Sequence, residues 1–402
     1  MSRYDIIVAG GGPVGLATAA LIATGPVADR CRVTVIDAAP RRRFDKAATD
    51  LRVYALSRSA QGILARCGAW QAIAATRVSP YCRMQIWEGE QFDSAGRLRF
   101  DSADIGEPDL GHIVEDSLIC ASLYDVLDRA DTVELVTGTG IDSVEYERHR
   151  VLVHTEGAAA TRSATLLIAA DGGRSPIREA AGLPRIERDY RQCGVIAHVV
   201  PQHAHARTAW QRFLPGGPLA LLPLSDGRCS IVWSLPTPAS QQLLEAPREA
   251  FDAQLTQASA NVLGRLSLDS NPVALPLVAR HAWRYCRPRL ALAGDAAHTV
   301  HPLAGQGVNL GLADAAELAR TIAAAVTAGQ DPGDLRVLQR YERARTVPNM
   351  LMLGALDGLD RLFTAPGVLA PLRAAGLRVV DGIAPLKREL IRYASGGSVM
   401  SQ

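Results

Sequence analysis

The sequence predicts an α/β protein in which a nucleotide-binding domain with a parallel sheet carries an inserted mixed or antiparallel sheet and ends in a helical C-terminus. Three observations predict this fold. A glycine-rich turn links a buried-strand pattern at residues 4–9 to a small-residue helix pattern at 16–24, as in a βαβ unit. Between about 188 and 280, short strand-like segments alternate with turns rich in proline and glycine. Residues 346–402 are mostly helical in pattern.

The other elements follow in chain order from the same kinds of pattern. A continuous apolar run at 164–170 predicts a strand that is buried on both faces, which requires helices packed on both sides of a parallel sheet. The first region also contains a predicted strand at 32–36, helices at 57–66 and 117–130, and alternating strands between 133 and 153. The later predicted elements are strands at 194–200, 210–214, 219–223 and 229–235, a helix at 247–263, a strand at 290–293 and a helix at 310–328.

Composition excludes several classes of protein. With 43 Lys and Arg against 41 Asp and Glu, the net charge of +2 is too small to predict nucleic-acid binding. The seven cysteines are scattered and form no C-x-x-C, which predicts a reducing compartment and no metal site; His203 and His205 are expected in an exposed loop. No apolar run approaches the ~20 residues of a membrane-spanning helix, and the first residues do not form a signal peptide. We therefore expect a cytoplasmic protein, with peripheral contact at the inner membrane surface left open.

The first motif that indicates chemistry is the G-x-G-x-x-G formed by Gly10, Gly12 and Gly15. It lies between the first strand and helix, and Asp37 follows at the end of the second strand. In this context Gly10 permits the tight turn, Gly12 lets backbone N–H groups approach a pyrophosphate, and Gly15 allows close helix–strand packing. The helix N-terminus favours an anion, and Asp37 can accept hydrogen bonds from a ribose. The motif therefore predicts a bound dinucleotide.

A second motif follows the predicted strand at 290–293. Gly294 and Asp295 come directly after this strand, where the carboxylate can bind a polyol hydroxyl. The next turn is glycine-rich and opens a helix, so its N–H groups can face an electron-rich ring edge such as that of a flavin. The residues of this turn with predicted binding roles are Gly305, Gln306, Gly307 and Asn309.

A third motif ends the apolar strand at 164–170. Asp171 and Gly172 follow the strand, and Pro176 and Arg178 lie on the helix that comes next. Three strand ends therefore carry polar or glycine-rich turns, which is typical of a site at one edge of a parallel sheet.

This combination resembles the group A flavoprotein aromatic hydroxylases, the family of para-hydroxybenzoate hydroxylase. Within that family it is most similar to the ubiquinone-biosynthesis hydroxylases, and the likeness runs over nearly the whole chain. The segments that carry it are LRVYALSRSA at 51–60, GHIVEDSLI at 111–119, GDAAHTVHPLAGQGVNLG at 294–311 and PLKRELIRYASG at 385–396.

The resemblance implies a Rossmann-like FAD-binding domain of the glutathione reductase type with an inserted substrate domain. The implied FAD-binding domain comprises 1–75, 110–187 and 285–345, and the substrate domain comprises 76–109 and 188–284. Residues 346–402 would form the C-terminal helical region.

The resemblance also assigns cofactor contacts to the matching positions. Gly10, Gly12, Gly15 and Asp37 would hold ADP, and Arg52 would lie near the pyrophosphate and flavin. Gly294 and Asp295 would bind the ribityl chain, and the isoalloxazine would be lined by Gly305, Gln306, Gly307 and Asn309. Asp171 and Gly172 belong to the motif that is linked in the family to FAD and NAD(P)H. Two positions depart from the family. Asp37 stands where many relatives have Glu, and Asp116 stands where Arg is common, so no FAD contact is assigned at Asp116.

The activity implied is hydroxylation of a polyprenylphenol in ubiquinone biosynthesis. In the family, NAD(P)H reduces the flavin, O2 forms a C4a-hydroperoxide, and one oxygen atom is transferred to a phenol ring. No catalytic base can be named from the sequence. His298 and Pro302 are the candidates beside the flavin motif, and His301 also flanks it, with a structural role as the alternative for each histidine. The segment SPYCRMQIWEG at 79–89 favours a 2-polyprenylphenol 5-hydroxylase. The alternatives are a 6-methoxyphenol or 3-demethylubiquinol-type hydroxylase, another flavoprotein of lipids or aromatics, and a non-catalytic flavin-binding subunit.

A lipid substrate requires an apolar wall and a route to the membrane. The wall is predicted from the strands of the second region, with ordinary strand core as the alternative for each residue. The residues are Trp210, Phe213, Leu214, Leu219, Leu221, Leu222, Ile231 and Trp233. Membrane contact is predicted for basic and apolar C-terminal positions, with Arg361, Arg373, Arg378, Lys387, Arg388 and Arg392 as the cations. The alternatives are an amphipathic helix packed on its own domain and a partner in a biosynthetic complex, and homo-oligomerisation is left open.

Overall fold

The computed structural model describes residues 4–89, 92, 97–157, 161–300, 306–364, 381 and 383, without the side chains of residues 306, 360 and 364. The strands are β1 (Tyr4–Ala9), β2 (Cys31–Asp37), β3 (Val53–Ser57), β4 (Ser79–Tyr81), β5 (Arg83–Glu88), β6 (Arg97–Asp101), β7 (Gly111–Glu115), β8 (Val133–Thr137), β9 (Ile141–Tyr146), β10 (Val151–Thr155), β11 (Arg162–Ala164), β12 (Leu166–Ala169), β13 (Arg185–Pro201), β14 (Thr208–Phe213), β15 (Leu219–Pro223), β16 (Cys229–Pro236), β17 (Leu266–Leu268), β18 (Val273–Ala282), β19 (Cys286–Arg287), β20 (Leu290–Leu292) and β21 (His298–Thr299). The α-helices are α1 (Pro13–Ala23), α2 (Arg58–Arg66), α3 (Trp70–Thr76), α4 (Asp116–Leu127), α5 (Pro176–Ala180), α6 (Thr237–Glu245), α7 (Arg248–Ala258), α8 (Gln306–Thr327) and α9 (Leu335–Thr364).

The first sheet is the predicted parallel sheet of the nucleotide-binding domain. Its six strands lie in the order β19-β20-β12-β1-β2-β8, and all neighbours are parallel except β19 and β20. The apolar run predicted at 164–170 is β12, whose four residues are all buried, because helices cover the sheet. Helix α1 is buried on most of its surface because α4 and α8 pack against it. The parallel α/β fold class is confirmed.

The second sheet is mixed, as predicted. Nine strands follow the order β21-β18-β13-β16-β15-β14-β5-β6, with β17 paired to β13. All pairs are antiparallel except β14 with β5, which lie parallel. Helices α6 and α7 pack on one face of this sheet and form a second hydrophobic core with it. The strand β21 follows the Gly294–Asp295 turn, so it connects that turn directly to the second sheet.

Strand β18 was absent from the sequence-based prediction because Pro276 interrupts its pattern. Pro276 pairs with Cys193 of β13 next to a break in register, while β21 pairs with β18 only at Arg280 and His281. Proline lacks the N–H group that a central strand needs, and at Pro276 no described residue pairs with the second side of β18. The sequence also underestimated β13, which runs over Arg185–Pro201 rather than 194–200.

Two long helices follow the second sheet. Helix α8 begins at Gln306, four residues before the predicted helix, and α9 packs on the first domain through Tyr341, whose hydroxyl donates to the carbonyl of Leu292 at 2.7 Å. Further along α9, the ring of Phe363 stacks on Phe213 of β14 at 3.7 Å, so this helix joins both domains. Within the described residues, none of the helices has the length and apolar character needed to cross a bilayer. Arg361 is exposed and pairs with Asp357 at 2.9 Å, whereas Arg373, Arg378, Lys387, Arg388 and Arg392 lie outside the described residues.

The predicted domain boundaries remain predictions. Strand β4, assigned to the substrate domain, pairs with β7 in a three-stranded sheet that also contains β3.

Candidate functional site

One cavity of about 960 Å³ connects the nucleotide-binding domain to the second sheet. At one end it is lined by Gly10 and Asp37, which follow β1 and end β2. At the other end it is lined by Trp210 and Leu222 on the second sheet. All three sequence motifs contribute to its wall. The structure therefore brings together residues more than 250 positions apart in the chain, such as Gly10 and Asp295.

The glycine-rich turn shows why each glycine is needed. Gly10 has φ of 112°, and a side chain there would overlap the carbonyl group of Ala170. A Cβ at Gly15 would overlap the carbonyl oxygen of Gly10. At Gly12, by contrast, no atom lies within 4 Å of the Cβ position, although the residue lines the cavity and caps α1. The open space at Gly12 and the free N–H groups at the start of α1 suit a phosphate group.

Asp37 is held in place at the end of the cavity by the backbone. Its carboxylate accepts hydrogen bonds from the N–H of Gly11 and, at 2.7 Å, from the N–H of Ala39. A carboxylate oxygen can accept more than one hydrogen bond, so these contacts orient the group and leave capacity for ribose hydroxyls.

Asp171 and Gly172 lie in the turn after β12 and line the cavity. One carboxylate oxygen of Asp171 accepts a weak hydrogen bond from the N–H of Ile177 at 3.4 Å. The other oxygen is buried and has no hydrogen-bond partner among the described residues. Burial raises the pKa of this carboxyl group. An unpaired buried oxygen is costly unless a ligand donates to it, so this group is placed to receive a hydroxyl or amide donor.

Asp295 faces the middle of the cavity from the turn after β20. Gly294 has φ of 60° and lies against the side chain of Val14, which brings this turn close to the first glycine motif. No described residue donates a hydrogen bond to the Asp295 carboxylate. Burial raises the pKa of Asp295, although the charges of His298 and Arg52 act against this shift. The carboxylate is therefore available to a polyol chain within the cavity.

Arg42, Arg52 and Asp116 form a charged cluster that also lines the cavity. Asp116 is buried and accepts hydrogen bonds from Arg42 and, at 2.9 Å, from the hydroxyl of Tyr54. The guanidinium of Arg52 lies over the Tyr54 ring at 5.4 Å. Burial lowers the pKa of Arg52, but the nearby Tyr54, Asp116 and Asp295 raise it more, so the group stays cationic. The sequence missed Arg42, and the unusual Asp116 was the signal that could have led to it.

The helix-opening motif lies partly outside the described residues. Gly307 lines the cavity, and Gln306 is described only as the first residue of α8. His301, Pro302 and Gly305 lie outside the described residues. Asn309 accepts a hydrogen bond from the N–H of Ser57 and donates to the carbonyl of Ala55, both at 2.9 Å. It is absent from the described cavity wall, and these bonds attach the start of α8 to β3.

His298 is buried behind the cavity in a polar network. Its Nε2 lies 2.5 Å from a carboxylate oxygen of Asp314, which also accepts the N–H of Gly294 at 3.1 Å. The other oxygen of Asp314 accepts from Arg345 at 2.7 Å and Asn349 at 3.1 Å. Burial by itself would raise the pKa of Asp314. His298 and Arg345 outweigh this effect and lower the pKa to about 2. His298 is not part of the described cavity wall, so its position supports the structural role.

The second sheet forms the wall of the remaining part of the cavity, which we call the chamber. The predicted apolar wall is wrong for most of its residues. Leu219, Leu221, Ile231 and Trp233 point to the opposite face and pack in the second core with α6 and α7, Leu214 packs against that core, and Phe213 packs on Phe363. Leu222 lines the chamber as predicted. Trp210 contributes to the cavity wall, but it pairs with Leu221 and packs against the second core, with ring contacts to Trp87 and Phe92. The other residues of its floor are small or uncharged, including Ala209, Gln211, Ala220, Ser230, Val232 and Ser234.

These features fit an elongated, anionic dinucleotide. The cavity offers a glycine cradle with open space, a helix N-terminus, the two arginines Arg42 and Arg52, and carboxylates that can accept hydroxyl donors. Gly10, Gly12 and Asp37 would hold the adenosine and phosphate portion, and Asp295 would hold the polyol chain. The chamber then lies beyond the ring end of such a molecule.

Comparisons with known proteins agree with this interpretation. Residues 3–352 match the family described as the FAD binding domain. Ubiquinone biosynthesis monooxygenase COQ6, mitochondrial, from Xenopus tropicalis is 33% identical over 98% of this chain and 93% of its own length. The 3-demethoxyubiquinol 3-hydroxylase of Escherichia coli is 34% identical over 98% of both chains. The crystal structure of p-nitrophenol 4-monooxygenase PnpA from Pseudomonas putida superposes with a TM-score of 0.81 at 19% identity, covering 100% of both chains, and so shares the fold.

Proposed function

Because the chain belongs to the family of FAD-dependent monooxygenases defined by this FAD-binding domain, we propose that it hydroxylates the aromatic ring of a polyprenylphenol in ubiquinone biosynthesis. The protein binds FAD, and NAD(P)H is the electron donor that is typical of such enzymes. The names of two full-length relatives support the substrate class. The observation that carries the proposal is the cavity of about 960 Å³, which joins the FAD motifs to a chamber built on the second sheet.

When bound, FAD supplies the redox chemistry that activates O2 and delivers one oxygen atom to the ring. The chain's own residues bind the cofactor and orient the aromatic ring relative to it. The glycine turn and Asp37 would hold one end of the cofactor, and Asp295 would hold its polyol chain. The sheet face holds the aromatic ring at the other end, and the buried chamber limits the access of water.

The opening of the chamber supports a lipid tail. Leu275 and Pro276 line the cavity and are exposed, with Leu275 48% accessible, so they mark its opening to solvent. Val273, two residues earlier on the same strand, is 41% exposed. Alternate residues of a strand share a face, so these side chains extend the chamber wall to the surface. An apolar opening suits a polyprenyl tail because the tail can leave the chamber without passing a charged group.

Purified holoenzyme tests this function directly. With NAD(P)H, O2 and a 2-prenylphenol of short tail, we expect substrate-stimulated NAD(P)H oxidation and a product heavier by one oxygen atom in mass spectrometry. Stimulated oxidation without a hydroxylated product, or no response to the phenol, would overturn the proposal and favour a non-catalytic flavin-binding subunit.

For the ring position, we propose the 2-polyprenylphenol 5-hydroxylase activity, supported by the resemblance of the segment at 79–89. Profiling the quinone intermediates of a deletion strain by mass spectrometry tests it, since the phenol that accumulates shows which position lacks oxygen. Accumulation of a 6-methoxyphenol or a 3-demethylubiquinol-type intermediate would assign the activity to one of the two alternatives.

We further propose that the protein reaches its lipid substrate at an anionic membrane surface, through the exposed face of α9. Val347, Met350 and Leu351 are 59%, 51% and 64% exposed at helical spacing. One to three turns earlier, the exposed Arg336, Arg340 and Arg343 continue the same face. Cations beside an apolar stripe are the pattern of an interfacial helix.

The acidic side chains described on α9 do not oppose this contact. Glu342 pairs with Arg284 at 3.0 Å, and Asp357 pairs with Arg188 and Arg361. Sedimentation with phosphatidylcholine vesicles, with or without phosphatidylglycerol, measures the binding. We expect binding only to the anionic vesicles and its loss in the Met350→Glu, Leu351→Glu double variant. Equal binding by the variant would overturn the proposal, and a change in oligomeric state instead would assign this face to a second copy of the chain.

A further inference from the structure

The charged residues of the cavity wall are confined to one part of it. Among the described residues, every charged side chain on the wall belongs to the nucleotide-binding side, namely Asp37, Arg42, Arg52, Asp116, Glu156, Asp171 and Asp295. The described residues that the second sheet contributes to the chamber are uncharged. The sheet has many arginines elsewhere. Arg212, for example, donates to the carbonyls of Gln257 and Ala258 behind the chamber. The lack of charged side chains is therefore a property of the chamber face and not of the whole sheet.

The chamber nevertheless contains polar side chains that are buried from bulk solvent. Gln211 on β14 is 6% exposed, and Ser230 and Ser234 on β16 are 1% and 2% exposed. All three line the open space of the chamber. Their amide and hydroxyl groups can therefore donate to and accept from a ligand that occupies it.

The sheet register places these groups on one surface. Gln211 is paired with Ala220 of β15, and Ala220 is paired with Val232 of β16. Ser230 and Ser234 lie two residues to either side of Val232, so they share its face. The small Ala220 leaves space above the sheet between Gln211 and Val232. The result is a patch of the sheet face with small side chains at its centre and amide and hydroxyl groups at its border, which suits an aromatic ring with a hydroxyl substituent.

Electrostatics decides which ring this site accepts. A carboxylate moved from water into a buried site costs several kcal/mol unless a cation pairs with it. A phenol hydroxyl needs only one donor and one acceptor, and the Gln211 amide offers both. The described chamber face offers hydrogen-bonding groups for a phenol hydroxyl and has no cation to pair with a carboxylate.

We infer that the chamber selects an uncharged phenol and rejects the same ring when it carries a carboxylate, with Gln211 bound to the ring oxygen. This inference rests on the proposed function and specifies its substrate class. Gln211 acts here as a specificity-determining residue, because it contacts the substrate and takes no part in oxygen transfer.

The test compares two substrates on the holoenzyme: a short-tail 2-prenylphenol and the matching compound with a carboxylate on its ring. We expect kcat/KM to be at least about 100-fold lower for the acid, as for sites whose polar groups cannot pair with the wrong substrate. Binding is measured independently, from the change in flavin absorbance on titration of each compound.

Three variants separate a binding role from a structural one. Gln211→Leu removes the hydrogen bonds, and we expect the KM for the phenol to rise about tenfold with unchanged FAD content. Gln211→Arg adds a cation, and we expect the preference to shift towards the acid. Gln254→Leu is the matched control, since Gln254 is exposed on α7 away from the chamber, and wild-type values are expected.

The outcomes distinguish this inference from the proposed function. If neither compound binds or is hydroxylated, the proposed function fails. If the phenol is hydroxylated and the acid is used equally well, the function stands and the selection by charge is wrong. If Gln211→Leu and Gln211→Arg leave both KM values unchanged, the assignment of Gln211 is wrong.

Discussion

The two ends of the cavity are built in different ways. At the nucleotide end, the wall consists of turns whose shape depends on glycine, such as Gly10 and Gly15, and of carboxylates at strand ends. At the chamber end, the wall is one face of a sheet, and its properties depend on which side of each strand points inward. A backbone constraint leaves a motif in the sequence. Which face of a strand points into the chamber leaves no motif in the sequence when both faces are buried.

This difference predicts which property of the protein a substitution should change at each end of the cavity. Changes at the nucleotide end should affect folding or FAD content, and each glycine should have its own effect. Changes on the second sheet should depend on the face: one side supports a core, and the other contacts substrate.

The largest effect is expected at Gly15. In Gly15→Ala the new methyl group overlaps the carbonyl oxygen of Gly10, and a backbone atom cannot move aside cheaply. We expect a loss of more than about 4 kcal/mol of stability, measured by denaturant unfolding or seen as failure to fold. Gly12→Val is the comparison, since it has open space: this variant should fold normally as apoprotein but contain little FAD. Normal folding of Gly15→Ala would contradict the packing described for this turn.

The next largest effect separates the two faces of β15. Leu221 is fully buried in the second core, so Leu221→Ala should reduce the free energy of unfolding by about 2–5 kcal/mol without a specific change in KM. Its neighbour Leu222 lines the chamber, so Leu222→Ala should cost less stability and raise the KM for the prenylphenol. Thermal unfolding and steady-state kinetics measure the two effects. If the two variants behaved alike, the face assignment would fail.

A smaller effect concerns the polar network behind the flavin turn. The pKa of Asp314 is about 2 in the fold, below its ordinary 3.8, so the ionised group stabilises the fold above pH 4. That contribution is lost as the pH falls from about 4 towards 2. We expect Asp314→Asn to lower stability by about 2–3 kcal/mol at pH 7 and to lose less than the wild type on acidification. Denaturant unfolding at a series of pH values measures this, and parallel pH profiles for the two proteins would refute it.

The smallest of the four effects is expected at Asp295. Removing the carboxylate in Asp295→Ala deletes a hydrogen bond to the polyol chain without disturbing a described hydrogen bond of that side chain. A hydrogen bond to a charged group contributes about 1.5–3 kcal/mol, so the Kd for FAD should rise about 10- to 100-fold while the apoprotein keeps its stability. Titration of apoprotein with FAD measures the change. Full retention of FAD would show that the carboxylate does not contact the cofactor.

The sequence alone determined the parts of this protein that backbone geometry dictates. The predicted strand at 4–9 matches β1, the glycine motif lies where a dinucleotide site needs it, and the three motifs converge on one cavity. The predicted wall failed for Leu219, Leu221, Ile231 and Trp233, because both faces of β15 and β16 are covered and apolar character no longer tells inside from outside.

Only the tertiary structure decided the remaining features. Arg42 reaches the cavity through its ion pair with Asp116, 74 residues away, and His298 turns from the cavity towards Asp314. Pro276 forms part of β18 at a position where, among the described residues, only β13 pairs with it. Contacts between residues distant in the chain determine each of these features, and of the local sequence patterns only the unusual Asp116 pointed to one of them.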